Sequence, residues 1–175
     1  MKILVDTREQ LPLFQSVRCT LCVGDYTTEK LKNVFHIERK SLQDLYGTLV
    51  QGNSRFKAEL FRAAWERITI CVYVEGTKKN FIEKNFPYGR DRKFSSQGLE
   101  RLIITFERKY HLCFHWHRNR AHCRKEVELR LQAEEKKLGR SWGTLIGEKA
   151  AIESKTLVKS PKSAKLAQNS RKISH

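Results

Sequence analysis

Apolar and polar positions change period several times along the chain, and each change marks an element. The apolar run Ile3-Leu4-Val5 makes residues 2 to 6 a buried first strand, ended by the loop Gln10-Leu11-Pro12. Arg18 to Val23 and Val34 to Lys40 read as two further strands. From Ser41 the period lengthens: Leu42, Leu45, Tyr46 and Leu49 recur at helical spacing, with Ser41 placed to cap the helix. Gln51-Gly52-Asn53-Ser54 breaks it. A second helix is expected from about Arg55 to Arg67, with Phe56, Leu60, Phe61 and Ala64 on its inner side. Ile68 to Val74 is apolar on both faces and suits a central strand covered by helices on each side. Ser96 to Tyr110 predicts a helix with Leu99, Leu102, Ile103 and Phe106 inward, Leu112 to Trp116 a last strand, and Arg124 to about Leu138 a last helix. The chain therefore reads as an α/β domain over residues 1–138, followed by a basic tail over 139–175 that is expected to be disordered.

Within this pattern the stretch from Gly24 to Asp44 concentrates charge. Strand alternation over Val34 to Lys40 puts Glu38 and Lys40 on one face with His36, and turns Phe35, Ile37 and Arg39 the other way. Asp25 follows the short apolar run Leu21-Cys22-Val23, so antiparallel pairing of the two runs would bring it to Glu38. Two carboxylates and a lysine in one place suit phosphodiester hydrolysis. Mg²⁺ binds through one or two carboxylates, waters and substrate phosphate oxygens. Lys40 would orient or help deprotonate an attacking water and stabilise charge on the phosphoryl oxygens. A bare Glu-x-Lys is as a rule only a charged strand end, so the assignment leans on the neighbouring motifs.

Those neighbours begin with Asp6-Thr7-Arg8-Glu9 at the end of the first strand. Together V-D-T-R-E, V-G-D-Y, I-E-R-K with Asp44 four residues after Lys40, and Val74-Glu75-Gly76 resemble the nuclease domain of the XPF/Mus81/Hef (ERCC4-type) family, over roughly residues 1 to 120. The resemblance implies a restriction-endonuclease-like fold, a central mixed sheet flanked by helices. It also implies Mg²⁺ or Mn²⁺ as cofactor and branched DNA, such as flaps, forks and nicked junctions, as substrate. It makes Asp25 and Glu38 the metal ligands and Lys40 the water-orienting cation. Asp6, Arg8 and Glu9 match the family's first acidic cluster, in a supporting or substrate-facing role. Arg39 would brace the site or meet a phosphate from the side. Asp44 either joins the chemistry or bonds to Lys40 and complements the helix N-terminus. Two departures stand out. The family's Arg-Leu-x-x-Gln run is Arg55-Phe56-Lys57-Ala58-Glu59 here, and nothing after residue 120 shows the tandem helix-hairpin-helix that follows in eukaryotic and archaeal members. The chain therefore resembles the free-standing phage or bacterial versions of the domain, which implies an intracellular place in a bacterial or phage-infected host.

Composition adds a partner. A formal charge of +16 and a pI near 9.9 point to phosphate-rich ligands. No apolar run reaches membrane-spanning length, and Asp6, Arg8 and Glu9 interrupt the N-terminal run before it can read as a signal peptide. Five cysteines without paired spacing suit reduced thiols. Lys78 to Ser96 interleaves Phe81, Phe86, Tyr88 and Phe94 with cations, and reads either as a base-stacking surface or as a loop anchored to the core by its rings. His111, Cys113, His115 and His117 alternate along the last strand with His122 and Cys123 beyond, which invites zinc, although ligands spaced along a flat strand diverge too far for three to meet. After Glu153 come Lys155, Lys159, Lys162, Lys165, Arg171 and Lys172 with no acid, which would add salt-sensitive DNA affinity. Three functions remain open at this level: a metal-dependent DNA endonuclease, a non-cutting DNA-binding module or partner subunit, and, more weakly, a sequence-specific restriction-type enzyme on the same fold. A homodimer or an associated subunit is compatible with each.

Overall fold

The computed structural model describes residues 1–51, 53–87, 89 and 94–158, the last of these, 142–158, by backbone alone. Two compact units divide the chain, Met1–Lys137 and Leu138–His175, and the sheet, core and site all belong to the first.

Six strands form one mixed sheet. β1 (Ile3–Asp6), β2 (Val17–Cys19), β3 (Tyr26–Thr28), β4 (Phe35–Ser41), β5 (Thr69–Glu75) and β6 (Cys113–His117) lie in the order β2-β1-β3-β4-β5-β6. The pairs β1/β3 and β3/β4 are antiparallel, and β1/β2, β4/β5 and β5/β6 are parallel. β5 lies between β4 and β6, one strand in from the sheet edge rather than at its centre, with Ile70 to Val74 all buried.

The expected strand over Arg18 to Val23 is not formed as such. Only Val17–Cys19 is extended, at the sheet edge, and Leu21 has its backbone satisfied by side chains instead of a strand: its N–H donates to Asp6 Oδ2 at 2.7 Å and its carbonyl accepts from Arg8 Nη2 at 2.8 Å. Gly24 then turns the chain with a left-handed φ of 68°, where a Cβ would stand 3.2 Å from both His36 Cβ and the Ile37 oxygen. The antiparallel partner of β4 is therefore the run after Asp25, with Tyr26 opposite Ile37.

Helices cover the sheet. α1 (Leu42–Tyr46) starts at Ser41, whose hydroxyl accepts the Asp44 N–H at 3.1 Å. It passes into a single wide π-helical turn, Gly47–Gln51, before α2 (Asn53–Trp65). Gly76 lets α1 sit close: a Cβ there would be driven into the Leu42 side chain. On α2 the buried stripe is Phe56, Leu60 and Ala63, at i, i+4 and i+7, so Phe61 and Ala64, expected inward, are exposed. α3 (Lys78–Ile82) and α4 (Ser96–Tyr110) follow, the latter burying Leu99, Ile103 and Phe106. In the aromatic stretch after β5, Phe81 is fully buried and packs on Phe86 and Trp116, so the rings described there anchor to the core; Tyr88, Arg90, Arg92 and Lys93 lie outside the described residues. α5 (Arg120–Val158) begins four residues before the expected start at Arg124 and runs to Val158, so residues 139–158, assigned above to a disordered tail, are helical. The rest of that tail, 159–175, lies outside the described residues.

Candidate active site

The topology gathers charge at one end of the sheet. Asp6 closes β1, Asp25 precedes β3, and Glu38 and Lys40 lie toward the end of β4; antiparallel pairing on both sides of β3 brings these positions to the same end. Asp25 is fixed there by its backbone. Its N–H donates to the Ile37 oxygen at 2.9 Å and its carbonyl accepts the Asp6 N–H at 2.9 Å, while Oδ2 accepts the Arg39 N–H at 2.7 Å. Glu38, only 5% exposed, is joined through Oε1 to Lys40 Nζ in a close ion pair. A cavity of about 640 Å³ opens onto Asp6, Arg8, Asp25, Glu38, Lys40 and Asp44.

The sequence-predicted residues fall into three groups. Asp25, Glu38 and Lys40 form the centre. Asp6 is a clamp: Oδ1 accepts from the Arg8 N–H and Nε at 2.8 and 2.7 Å, and Oδ2 from Arg8 Nη2 and the Leu21 N–H. Both its oxygens are taken, and Arg8 carries its exposed guanidinium to the rim of the cavity. Asp44 also borders the cavity but is engaged in the helix cap, where its Oδ2 accepts the Ser41 hydroxyl at 2.7 Å. Glu9 and Arg39 do not line the cavity. Strand alternation turns Arg39 away, where Nε donates to Glu9 Oε2 at 3.1 Å and Nη1 lies 3.2 Å from Glu75 Oε1. Glu75 is shared with the exposed Arg120 at 2.7 Å, so this network ties the loop after β1, β4, β5 and the start of α5 together behind the site.

Sequence reasoning missed the contribution of α2. Arg55, Glu59 and Arg62, at i, i+4 and i+7, present one stripe to the cavity, and Glu59 Oε1 accepts the Gly24 N–H at 3.1 Å beside Asp25. That stripe borders the buried one by a single helical step, which is the signal periodicity offered.

Electrostatics sharpen the picture. Burial pushes the Asp25 carboxyl well above its usual range, and the Glu38 charge pushes it further. Burial also raises Glu38, against the pull of Lys40. Burial would lower Lys40, but the Glu38 carboxylate outweighs it and holds the ammonium charged. Asp6 goes the other way: burial opposes its charge, and the Arg8 and Leu21 hydrogen bonds overcome that and lower it. Asp25 Oδ1 and Glu38 Oε2 are left without a hydrogen bond among the described residues.

No three His, Cys, Asp or Glu side chains among the described residues converge as a ready metal cage, neither here nor along β6. Mg²⁺ and Mn²⁺ need none, since such ions keep several waters and take one or two carboxylates plus substrate phosphate. Two desolvated, mutually repelling carboxylates with a free oxygen each fit that requirement.

A mixed sheet with helices on its faces thus carries a buried carboxylate pair and an ion-paired lysine at one end. The ERCC4 domain model matches residues 3–125, and the chain belongs to that family, that of the XPF/Mus81/Hef nuclease domain. Among solved structures it is similar to XPF from Aeropyrum pernix, at 20% identity and a TM-score of 0.60, over 85% of this chain and 73% of that one. XPF from Aeropyrum pernix in complex with DNA matches at 20% identity and 0.59, over 77% of this chain and 64% of that one. At that identity the likeness is one of fold. Curated proteins gave no match.

Proposed function

We propose that this chain is a metal-dependent DNA endonuclease that hydrolyses a phosphodiester in branched DNA, near a flap, fork or junction. The observation that carries the reading is the buried pair Asp25 and Glu38 with Lys40 bound to it in one cavity. Uncompensated carboxylates facing DNA would repel phosphate, so a pure binding module gains nothing by burying them at its contact surface. The ERCC4 family membership and the fold shared with a DNA-bound XPF support DNA as the polymer.

Asp25 Oδ1 and Glu38 Oε2 would hold the cation. When bound, a divalent ion there supplies charge neutralisation at the phosphate and activation of water. Lys40 is held protonated by Glu38, so it acts as a hydrogen-bond donor that orients the attacking water and stabilises the phosphoryl oxygens rather than as a base. Arg8, Arg55 and Arg62 on the cavity wall are placed to bind flanking phosphates. Arg39, Glu9 and Glu75 keep β4 in position behind them.

End-labelled flap, fork, duplex and single-stranded DNAs incubated with Mg²⁺, Mn²⁺ or EDTA test this. Incision of the branched substrates near the junction, absent in EDTA and restored by added metal, is the expected result. Tight binding without incision in either metal would overturn it in favour of a binding module or a partner subunit.

A further inference from the structure

The outer face of α2 carries two large rings that the core does not use. Phe61 and Trp65 stand one helical turn apart and are 64% and 86% exposed. Phe61 is steadied from below, its ring meeting Tyr110 of α4 edge-on at 5.9 Å, and Tyr110 in turn packs on the buried Phe106 at 5.2 Å. Cations surround the pair. Lys57 lies one turn before Phe61, Arg62 three residues before Trp65, and Lys109 Nζ stands 5.8 Å from the Tyr110 ring centre. Glu66 next to Trp65 and Glu107 one turn before Tyr110 are acids on the same turns. Arg62 connects this face to the cavity that holds Asp25, Glu38 and Lys40, since it lines that cavity from the adjoining stripe of the same helix.

We propose that Phe61 and Trp65 form a stacking platform for unpaired bases, on which the single-stranded arm of the substrate lies as it leaves the cavity. The proposal rests on the nuclease reading, because the arm is continuous with the phosphodiester held at Asp25 and Glu38. Exposed rings interleaved with cations match a single strand on both counts. Each base offers a π-face whatever its identity, and each phosphate meets a positive charge. In duplex DNA the base faces are stacked away, so the same surface discriminates in favour of unpaired DNA. A second copy of this chain would bring like charge to the patch, which disfavours it as the occupant.

The full-length chain in EDTA, where no cutting competes, is titrated with a labelled thymidine oligonucleotide and with a blunt duplex. Both residues are exposed, so Phe61→Ser/Trp65→Ser leaves the core intact. Its affinity for the oligonucleotide is expected to fall about tenfold or more, with duplex affinity within about twofold of wild type. Tryptophan emission should be quenched by the oligonucleotide in wild type and far less in Trp65→Phe, which keeps a ring at that position. Unchanged oligonucleotide affinity, an equal loss for duplex, or a change in self-association alone by sedimentation would overturn the platform. Flap cleavage by wild type in Mg²⁺ is read separately. Cutting with unaltered oligonucleotide affinity in the variant removes the platform and leaves the nuclease; the platform's loss of affinity without any cutting by wild type does the reverse.

Discussion

Because Asp25 is desolvated and faces the Glu38 charge, and Glu38 is desolvated with Glu59 and Glu9 near it, both release their protons above the ordinary carboxylate values of 3.8 and 4.5, Glu38 against the pull of Lys40. The folded protein then binds more protons than the unfolded chain in the interval above those values. Stability of the metal-free protein is therefore highest at the acid side of that window and falls as pH rises through it. At neutral pH the pair is a stored repulsion that a bound cation would relieve. Asp25→Asn, which keeps an oxygen for the Arg39 N–H, should raise the melting temperature of the metal-free protein at pH 7, by about 2–4 °C for each kcal/mol relieved. Mn²⁺ should raise the melting temperature of wild type and not of the variant; a lower melting temperature for Asp25→Asn in EDTA would contradict this. The charged triplet was legible because strand alternation is rigid: Glu38 and Lys40 had to share a face and Arg39 had to leave it. The tie between Glu59 and Gly24 was not, since a contact across 35 residues leaves no local trace.

At the scale of elements, α1 is short and hangs on its cap, with the Ser41 hydroxyl and the Asp44 carboxylate and N–H closing on each other. Asp44→Ala should cost about 0.5–1 kcal/mol in chemical denaturation while cleavage stays within severalfold of wild type. A loss of about a hundredfold or more with unchanged stability would instead place Asp44 in the chemistry. Long periodic elements such as α4 and β5 could be read directly from spacing. β3 could not: three residues, Tyr26–Thr28, give too little pattern, and the turn before it depends on Asp6 and Arg8 holding Leu21 from elsewhere in the chain. The inward face of α2 was misplaced by one residue because Phe61 is apolar yet 64% exposed, meeting Tyr110 at the margin of the core.

For the whole molecule the dominant feature is charge, +16 in total, a large part of it outside the sheet. Lys159, Lys162, Lys165, Arg171 and Lys172 follow the last described helical residue, Val158. Removing residues 159–175 should weaken duplex binding and flatten the plot of log affinity against log salt, by roughly 0.9 for each phosphate that the segment no longer neutralises. An unchanged slope would give the segment another purpose. Among the described residues no helix is long and apolar enough to cross a membrane.

The most direct measurement compares wild type, Asp25→Asn and Lys40→Ala on a labelled flap in Mg²⁺, with DNA affinity measured alongside in EDTA. Loss of incision by about a hundredfold or more in both variants, with affinity retained, is the predicted result. Variants that cut at the wild-type rate would show that the cavity beneath β4 is not where the phosphodiester is broken.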